Sequence, residues 1–290
     1  MTSNRTILIT GVTGQQGGAV AQALRGTGFH LRGLTRKPES ERAAALAHQG
    51  IEIVKGDFDD EASLRHALTG AWGVFGVQNA GEAGPDREEA QGKRLAALAR
   101  EAGVEHYVYT SVGSADKRTG VPHFDSKWRI EETVRGLRFP SHVILRPVFF
   151  MDNLVAPFSL QNSTLAWALG PGIALQMIAV DDIGWFGARA FTDATAWNRR
   201  EIDLAGDVRT MPEAAEILTE ALGRPIAFAQ TPIEQVRQYS KEMALMLEWF
   251  EHVGYSADIA GLESEFGRAL TKLPDWARRH AGPNGQGEVA

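Results

Sequence analysis

The stretch TILITGVTGQQG, residues 6–17, decides the fold of this 290-residue chain. Thr6–Thr10 is a short apolar run that stops at glycines, which is typical of a buried parallel strand. The residues from Gly17 to Arg25 follow a helical pattern, with Val20 and Leu24 on one face. The stretch therefore predicts a strand that passes through a glycine loop into a helix.

The same alternation of strand and helix continues for about the first half of the chain. Further strands are predicted at His30–Thr35, Glu52–Lys55, Gly73–Val77, His106–Ser111 and Ser141–Val148. Helices are predicted at Glu39–Gln49, Glu61–Leu68, Asp86–Ala102 and after Pro122. Such an alternation predicts an α/β fold with a doubly wound parallel sheet, a Rossmann fold, whose strand ends meet at one ligand-binding edge.

The regular alternation of strands and helices ends after Pro147, where prolines interrupt short segments. Helices are predicted at Met211–Leu222 and Pro232–Val253. We expect a nucleotide-binding domain over residues 1–150 and a smaller C-terminal α/β lobe over residues 151–282 that is interleaved with it. A flexible tail is expected over residues 283–290.

Composition narrows the function classes. A net charge of −6 argues against a surface that binds nucleic acid directly. The absence of cysteine removes disulfides, thiolate catalysis and cysteine metal sites, and the histidine spacing predicts no metal site. The N-terminus carries no signal pattern, and no apolar run approaches the ~20 residues of a membrane span, so a cytoplasmic protein without membrane contact is expected.

The glycine motif has the spacing G-x-x-G-x-x-G, formed by Gly11, Gly14 and Gly17. Glycines allow a tight turn and a close approach of the backbone to a pyrophosphate at a helix N-terminus. The motif therefore predicts a dinucleotide-binding loop, to which Thr13 and Gln16 belong. The alternative is a turn with a purely structural role.

The end of the second predicted strand selects between the two nicotinamide cofactors. An NAD-selective protein usually has Asp or Glu there, but this chain has Thr35 followed by Arg36 and Lys37. A guanidinium can bind a 2′-phosphate with two hydrogen bonds, and Lys37 adds positive charge. The predicted cofactor is therefore NADP(H), unless Arg36 is a solvated surface residue.

Two further strand ends supply candidate cofactor contacts. Asp57 follows the third strand and can bond the adenine amino group while Phe58 packs nearby, although Asp57 could equally cap the next helix. Gln78 and Asn79 follow the fourth strand and should run beside the cofactor ribose.

Several segments of the chain resemble one known family. They are GDFDD, YTSVGS, QGKRLAALAREAGVEHYVYTSVGS, HFDSKWRIEE, LRPVFFMDNL and LPDWARRH. With the glycine pattern they are similar to the NmrA-like branch of the atypical short-chain dehydrogenase/reductase superfamily, over most of residues 5–280. The resemblance implies a Rossmann domain with a smaller C-terminal lobe. It also implies either an NADP(H)-binding redox sensor with a protein partner or a reductase of quinones, dyes and similar molecules.

Typical members of that superfamily use a serine, a tyrosine and a lysine, with Tyr-x-x-x-Lys on one helix. The resemblance places Lys127 at the lysine position and Ser111 at the serine position, whereas His123 occupies the tyrosine position. His123 could donate a proton near its reference pKa of ~6.5, or it could only pack near the nicotinamide. Lys127 is expected to bind the cofactor ribose or to be a solvated helix lysine. Ser111 is expected at the reaction centre or as a simple strand-end hydrogen bonder.

The last candidates follow the strand Ser141–Val148. Pro147 should lie beside the nicotinamide and fix the exit of the chain. The following residues Phe149, Phe150 and Met151 are candidates for an apolar substrate wall or for ordinary core packing. Asp181 or Asp182 is expected to cap a helix.

Two functions follow from these candidates. The first is a regulatory NADP(H) sensor that lacks the standard catalytic tyrosine. The second is an NADPH-dependent reductase of a small apolar molecule such as a quinone, since some products can take their proton from solvent.

Overall fold

The structure is a computed structural model that describes residues 5–280, so the predicted tail 283–290 lies outside the described residues. The strands are β1 (Thr6–Ile9), β2 (His30–Thr35), β3 (Glu52–Lys55), β4 (Ala71–Gly76), β5 (His106–Thr110), β6 (Ser141–Pro147), β7 (Phe149–Phe150), β8 (Leu160–Gln161), β9 (Thr164–Trp167), β10 (Leu175–Ile178), β11 (Arg200–Leu204), β12 (Asp207–Arg209) and β13 (Ala227–Gln230).

The α-helices alternate with the strands in the first half and dominate the C-terminal part. They are α1 (Gln15–Leu24), α2 (Glu41–His48), α3 (Glu61–Leu68), α4 (Ala80–Ala83), α5 (Pro85–Glu101), α6 (Pro122–Gly136), α7 (Val180–Thr192), α8 (Ala194–Trp197), α9 (Met211–Leu222), α10 (Ile233–Tyr239), α11 (Lys241–His252), α12 (Ile259–Phe266) and α13 (Leu273–His280). Within residues 5–280, no helix is both long and apolar enough to cross a bilayer.

Seven parallel strands form the main sheet, in the order β11-β6-β5-β4-β1-β2-β3. Strand β1 pairs with β2 on one side and with β4 on the other, so the strand order reverses at β1. The predicted doubly wound parallel sheet is confirmed. A reversal of this kind leaves a crevice at the carboxyl ends of the strands, which is where ligands bind in such sheets.

The two faces of the sheet are covered by helices that the sequence pattern accounts for. On one face, apolar residues of α3, α5 and α6 pack into one core cluster with Tyr107 and Tyr109 of β5. On the other face, α7 lies directly against α1. A Cβ atom added at Gly184 would lie 2.7 Å from the carbonyl oxygen of Ala19, and one added at Gly187 would lie 2.5 Å from Val20. Small residues therefore allow α7 to approach α1 closely.

The described chain divides into two compact units. The first comprises residues 5–115, 123–146 and 183–202, and the second comprises residues 116–122, 147–182 and 203–280. The predicted boundary at residue 150 falls close to Arg146, but residues 183–202 return to the first unit. This return follows from the packing of α7, whose apolar face covers the main sheet.

The second unit contains two three-stranded sheets, β12-β10-β7 and β13-β9-β8. Phe149 and Met151 are buried here, and Phe149 packs edge-on against Trp167 with ring centroids 5.1 Å apart. These two residues therefore serve core packing in the second unit, which was one of the two expectations for them. Phe150 between them is half-buried.

Two details of the second unit differ from the sequence predictions. The predicted helix Pro232–Val253 is two helices, because Ser240 is extended at φ −152° and caps α11 by accepting from the Met243 backbone N–H. Asp182 lies in the first turn of α7, but it does not act as the expected cap. Its fully buried carboxylate instead accepts hydrogen bonds from the Thr271 backbone N–H at 2.8 Å and from Arg268 at 3.0 Å.

Candidate functional site

The glycine loop joins β1 to α1 at the point where the strand order reverses. Gly11 has φ +59°, a conformation that favours glycine. A Cβ atom at Gly17 would lie 2.4 Å from the Gly11 carbonyl oxygen and 2.5 Å from that of Thr10. Gly14 has φ −96°, and an added Cβ would meet only the Gly11 carbonyl oxygen at 3.3 Å. The fold thus requires glycine at positions 11 and 17, whereas the approach of a ligand would account for glycine at 14.

No side chain caps the N-terminus of α1, a ten-residue helix. The first backbone N–H groups of a helix lack intrahelical partners and, together with the helix dipole, favour an anion. Thr13, in the loop, is half-buried, and its carbonyl oxygen accepts from Arg42 at 3.2 Å. Gln16, in the first turn of α1, accepts from the Thr110 hydroxyl at 2.6 Å, which links the helix end that follows the loop to β5. The loop is therefore fixed to the sheet while the helix end lacks a side-chain cap.

Thr10 is a positioning residue that the sequence prediction missed. Its hydroxyl lies 3.1 Å from the carbonyl oxygens of both Phe75 and Val77, either of which can accept its single hydrogen, and it accepts from the Val77 backbone N–H at 2.9 Å. These bonds hold the ends of β1 and β4 together beside the loop. A threonine directly before the first glycine was the available signal.

The predicted phosphate-binding cations lie at the end of β2. Arg36 and Lys37 are both exposed. The Arg36 guanidinium contacts the carboxylate of Glu82 at 2.5 Å, and both side chains are more than half exposed. Arg36 is thus exposed, and it is paired with a carboxylate that sequence reasoning did not identify. Its contact with a 2′-phosphate stays a prediction.

Asp57 and Phe58 follow β3, and the alternative role expected for Asp57 is wrong. The residue that caps α3 is Asp60, which accepts from the backbone N–H groups of Ala62 and Ser63. Asp57 instead accepts from the Asp59 backbone N–H at 2.9 Å. Phe58 packs against the core cluster defined above. A contact of Asp57 with adenine stays a prediction.

Gln78 follows β4 and carries a polar group without a partner in the described chain. Its side chain is 4% exposed, and neither its amide nitrogen nor its amide oxygen has a hydrogen-bond partner among residues 5–280. An unsatisfied buried polar group costs ~1–3 kcal/mol, so the position favours a bound ligand. The neighbouring Asn79 caps α4 by accepting from the Gly81 backbone N–H at 3.0 Å, which gives Asn79 a structural role.

Ser111 follows β5, the strand next to β4, and shows the same feature. It is 3% exposed, and its hydroxyl has no hydrogen-bond partner among the described residues. Its backbone N–H donates to the Leu145 carbonyl oxygen at 2.7 Å. The carboxyl edge of the main sheet therefore contains two buried polar side chains, Gln78 and Ser111, that the described chain does not satisfy.

Lys127 lies on α6 and is neither solvated nor free. Its ammonium contacts Glu88 of α5 at 2.6 Å, with Lys127 12% exposed and Glu88 completely buried. The second carboxylate oxygen of Glu88 accepts from the Ser126 hydroxyl at 2.8 Å. The expectation of a solvated lysine is wrong. Glu88, a partner that the sequence did not indicate, holds Lys127 in a buried ion pair.

His123 lies one helical turn before Lys127 on the same face of α6. It is half-buried, its ring packs edge-on against Phe124, and its carbonyl oxygen accepts from Ser126 at 3.1 Å. The spacing of the predicted pair is therefore present in the helix, with the His123 imidazole four residues before Lys127.

The two tyrosines of β5, Tyr107 and Tyr109, are both fully buried within the core. Burial raises the pKa of Tyr107 and of Tyr109 above the ordinary value, and the nearby carboxylate of Glu88 raises the pKa of Tyr109 further. A hydroxyl so placed is a poor proton donor.

Pro147 ends β6 and is buried in the second compact unit, as are Phe149 and Met151. The first unit therefore contains the loop, the cationic strand end, Gln78, Ser111, His123 and Lys127. Within residues 5–280, no group of three or more acidic or histidine side chains is arranged to hold a metal ion.

Comparisons with known proteins show the family and the fold of this chain. The model of the NmrA-like family matches residues 3–280. An Aspergillus protein described as the NmrA-like family domain-containing oxidoreductase notA is 40% identical over 247 residues, which cover 74% of this chain and 72% of that protein.

Two solved structures show the same fold. The triphenylmethane reductase of Citrobacter sp., complexed with NADP(H), has a TM-score of 0.77 and 22% identity, and the match covers 95% of this chain and 99% of that one. NmrA, described as a negative transcriptional regulator in complex with NADP, has a TM-score of 0.78 and 19% identity, and the match covers 95% and 94%.

Proposed function

The chain belongs to the NmrA-like family, and we propose that it binds NADP(H) at the carboxyl edge of the main sheet. The observation that carries this proposal is the pair of unsatisfied buried side chains, Gln78 and Ser111, at the ends of two adjacent strands. A dinucleotide lying along this edge would supply the missing hydrogen-bond partners. Two solved structures with the same fold hold NADP or NADP(H).

The residues present fit the parts of this cofactor. The N-terminus of α1 lacks a side-chain cap, and Gly14 in the preceding loop has no side chain to block a ligand. Both features suit the binding of a pyrophosphate. Arg36 and Lys37 suit the 2′-phosphate, and Asp57 suits the adenine amino group. When bound, the cofactor supplies a hydride in its reduced form and accepts one in its oxidised form.

We favour a regulatory role in which cofactor occupancy controls the affinity for a protein partner. His123 replaces the usual tyrosine, and Lys127 is already engaged by Glu88 at 2.6 Å. The ammonium is thus committed to a buried carboxylate, and the tyrosines of β5 are poor donors. The described side chains accordingly favour binding of the cofactor over proton transfer to a substrate.

A reductase is the second candidate, and the buried hydroxyl of Ser111 favours it, because such a group can bond a substrate oxygen. Relatives described as oxidoreductases agree with this candidate. Hydride transfer needs mainly proximity and alignment, and quinone-like acceptors can take their proton from water. The acceptor would then be a small apolar molecule.

The cofactor assignment is tested by titrating NADPH and NADH into the wild type and Arg36→Ala with isothermal calorimetry. The loss of a charge-assisted contact costs ~1.5–3 kcal/mol, so Arg36→Ala should weaken NADPH binding roughly ten- to a hundredfold and change NADH binding by no more than about fivefold. Arg65→Ala is the matched control, because Arg65 is a comparably exposed arginine on α3 that pairs with Glu101. Equal wild-type affinities for the two cofactors would contradict the assignment.

Substitution of His123 distinguishes the regulatory role from the reductase role. A regulatory protein should keep its NADPH affinity within a few-fold in His123→Phe, and no acceptor should accelerate NADPH oxidation. A reductase that uses histidine as its acid should lose ~10²-fold or more in turnover in this variant, with a wild-type rate that falls as pH rises. Turnover that survives His123→Phe but is lost in a Lys127→Ala protein that circular dichroism shows to be folded would indicate a reductase that draws its proton from solvent. Saturable NADPH-dependent reduction by the wild type would overturn the regulatory role.

A further inference from the structure

Glu82 contacts a residue of the proposed NADP(H) site at the carboxyl edge of the main sheet. It lies in the short helix α4, four residues after Gln78, and its carboxylate contacts the guanidinium of Arg36, 46 residues away in the chain. The ion pair therefore connects the segment after β4 with the end of β2. In the proposed function, Arg36 binds the 2′-phosphate and Gln78 lies beside the cofactor.

The carboxylate of Glu82 and a 2′-phosphate would compete for the same guanidinium. Both are anionic oxygen acceptors, and a guanidinium that pairs with one must release or share it to pair with the other. A retained carboxylate would also repel the phosphate. Glu82 should therefore weaken the binding of the phosphorylated cofactor.

The same carboxylate would have the opposite effect on NAD(H). Proteins that select NAD(H) place an Asp or Glu where it accepts hydrogen bonds from the ribose hydroxyls. Strand β2 of this chain ends in Thr35 and Arg36, so β2 itself provides no such carboxylate. Glu82, held at Arg36, brings a carboxylate to the end of β2 from a different segment of the chain.

We propose that Glu82 is a specificity-determining residue that lowers the ratio of NADP(H) affinity to NAD(H) affinity in this protein. This proposal rests on the proposed function, since it requires a dinucleotide at this edge. Arg36 supplies the preference for the phosphate, and Glu82 opposes it. The chain thereby retains measurable affinity for both cofactors.

The test measures NADPH and NADH affinities by calorimetry in the wild type, Glu82→Gln, Arg36→Ala and the double variant. Exposed ion pairs are worth ~0.2–1 kcal/mol, so Glu82→Gln should tighten NADPH binding by a factor of roughly 1.4 to 5. NADH binding should weaken by a similar factor, so the NADPH-to-NADH preference should rise by a factor of roughly 2 to 25. Asp86→Asn is the matched control: Asp86 is an exposed carboxylate four residues downstream, and no ion pair is assigned to it within the described residues.

Each result bears on one of the two proposals. A wild type that binds neither cofactor overturns the proposed function. A wild type that prefers NADPH, with the preference unchanged in Glu82→Gln or changed only as much as in Asp86→Asn, overturns the role of Glu82 alone. The tightening of NADPH should also disappear when Glu82→Gln is combined with Arg36→Ala. If it persists there, general charge rather than competition for Arg36 explains it, and the proposal fails.

Discussion

The buried pair of Lys127 and Glu88 makes a prediction about stability that does not depend on any cofactor. Lys127→Met replaces the ammonium with an apolar side chain of similar length. Among residues 5–280, it leaves the completely buried side chain of Glu88 with the Ser126 hydroxyl, at 2.8 Å, as its one remaining side-chain hydrogen-bond partner. Removing one member of a buried ion pair costs ~3–5 kcal/mol because the remaining charge is uncompensated.

Substitution of the two partners of this pair should destabilise the protein to different extents. In Glu88→Gln, the amide oxygen can still accept from Ser126, and Lys127 retains 12% exposure through which its ammonium can reach water. We therefore expect a cost of about 2–3 kcal/mol for Glu88→Gln, below that of Lys127→Met. The double variant should cost less than the sum of the single variants by at least ~2 kcal/mol, since it leaves no unpaired charge.

The assay is urea-induced unfolding followed by far-UV circular dichroism at one pH. Lys93→Met is the matched control, because Lys93 pairs with Glu89 on the same helix α5 but is 41% exposed. Glu89 also keeps its partner Arg129 in that variant. The control should change stability by no more than ~0.5 kcal/mol. If Lys127→Met costs no more than Lys93→Met, or if the pair shows no coupling, the reasoning is refuted.

Further predictions concern the loop and pH. Gly14→Val should keep the thermal stability of the protein and abolish NADPH binding, whereas Gly17→Ala should lower stability by ~1–3 kcal/mol, because its Cβ would lie 2.4 Å from a carbonyl oxygen. Calorimetry and thermal unfolding decide both, and normal NADPH binding by Gly14→Val would show that the loop is misassigned. Burial lowers the pKa of His106 to about 4 from 6.5, so the unfolded chain binds more protons below pH 6.5. The free energy of unfolding should therefore decrease as the pH is lowered, and this site should contribute about 2 kcal/mol of that decrease between pH 8 and pH 5. His106→Gln should flatten that dependence, and an equal slope in wild type and variant would contradict it.

The sequence by itself determined the features that depend on local patterns. The buried strand Thr6–Ile9 was evident because a short apolar run bounded by glycines has few alternatives. The glycine loop was evident because three evenly spaced glycines follow this strand directly. The structure shows why two of them are needed, since Gly11 has a positive φ and Gly17 is in close contact with the backbone. The alternation of strands and helices then predicted six strands of the parallel sheet, since parallel strands require crossover helices, whereas the seventh strand, β11, was not predicted.

Tertiary structure alone decided the partners of the chemically important groups. Lys127 and Glu88 lie 39 residues apart, and Arg36 and Glu82 lie 46 residues apart, so no spacing rule links them. The sequence also could not predict that the Gln78 amide lacks a hydrogen-bond partner among residues 5–280. Whether a buried polar group has a partner depends on every neighbour within hydrogen-bond distance. Helix periodicity reports which face of a helix is apolar, but long-range packing determines which charge that face meets.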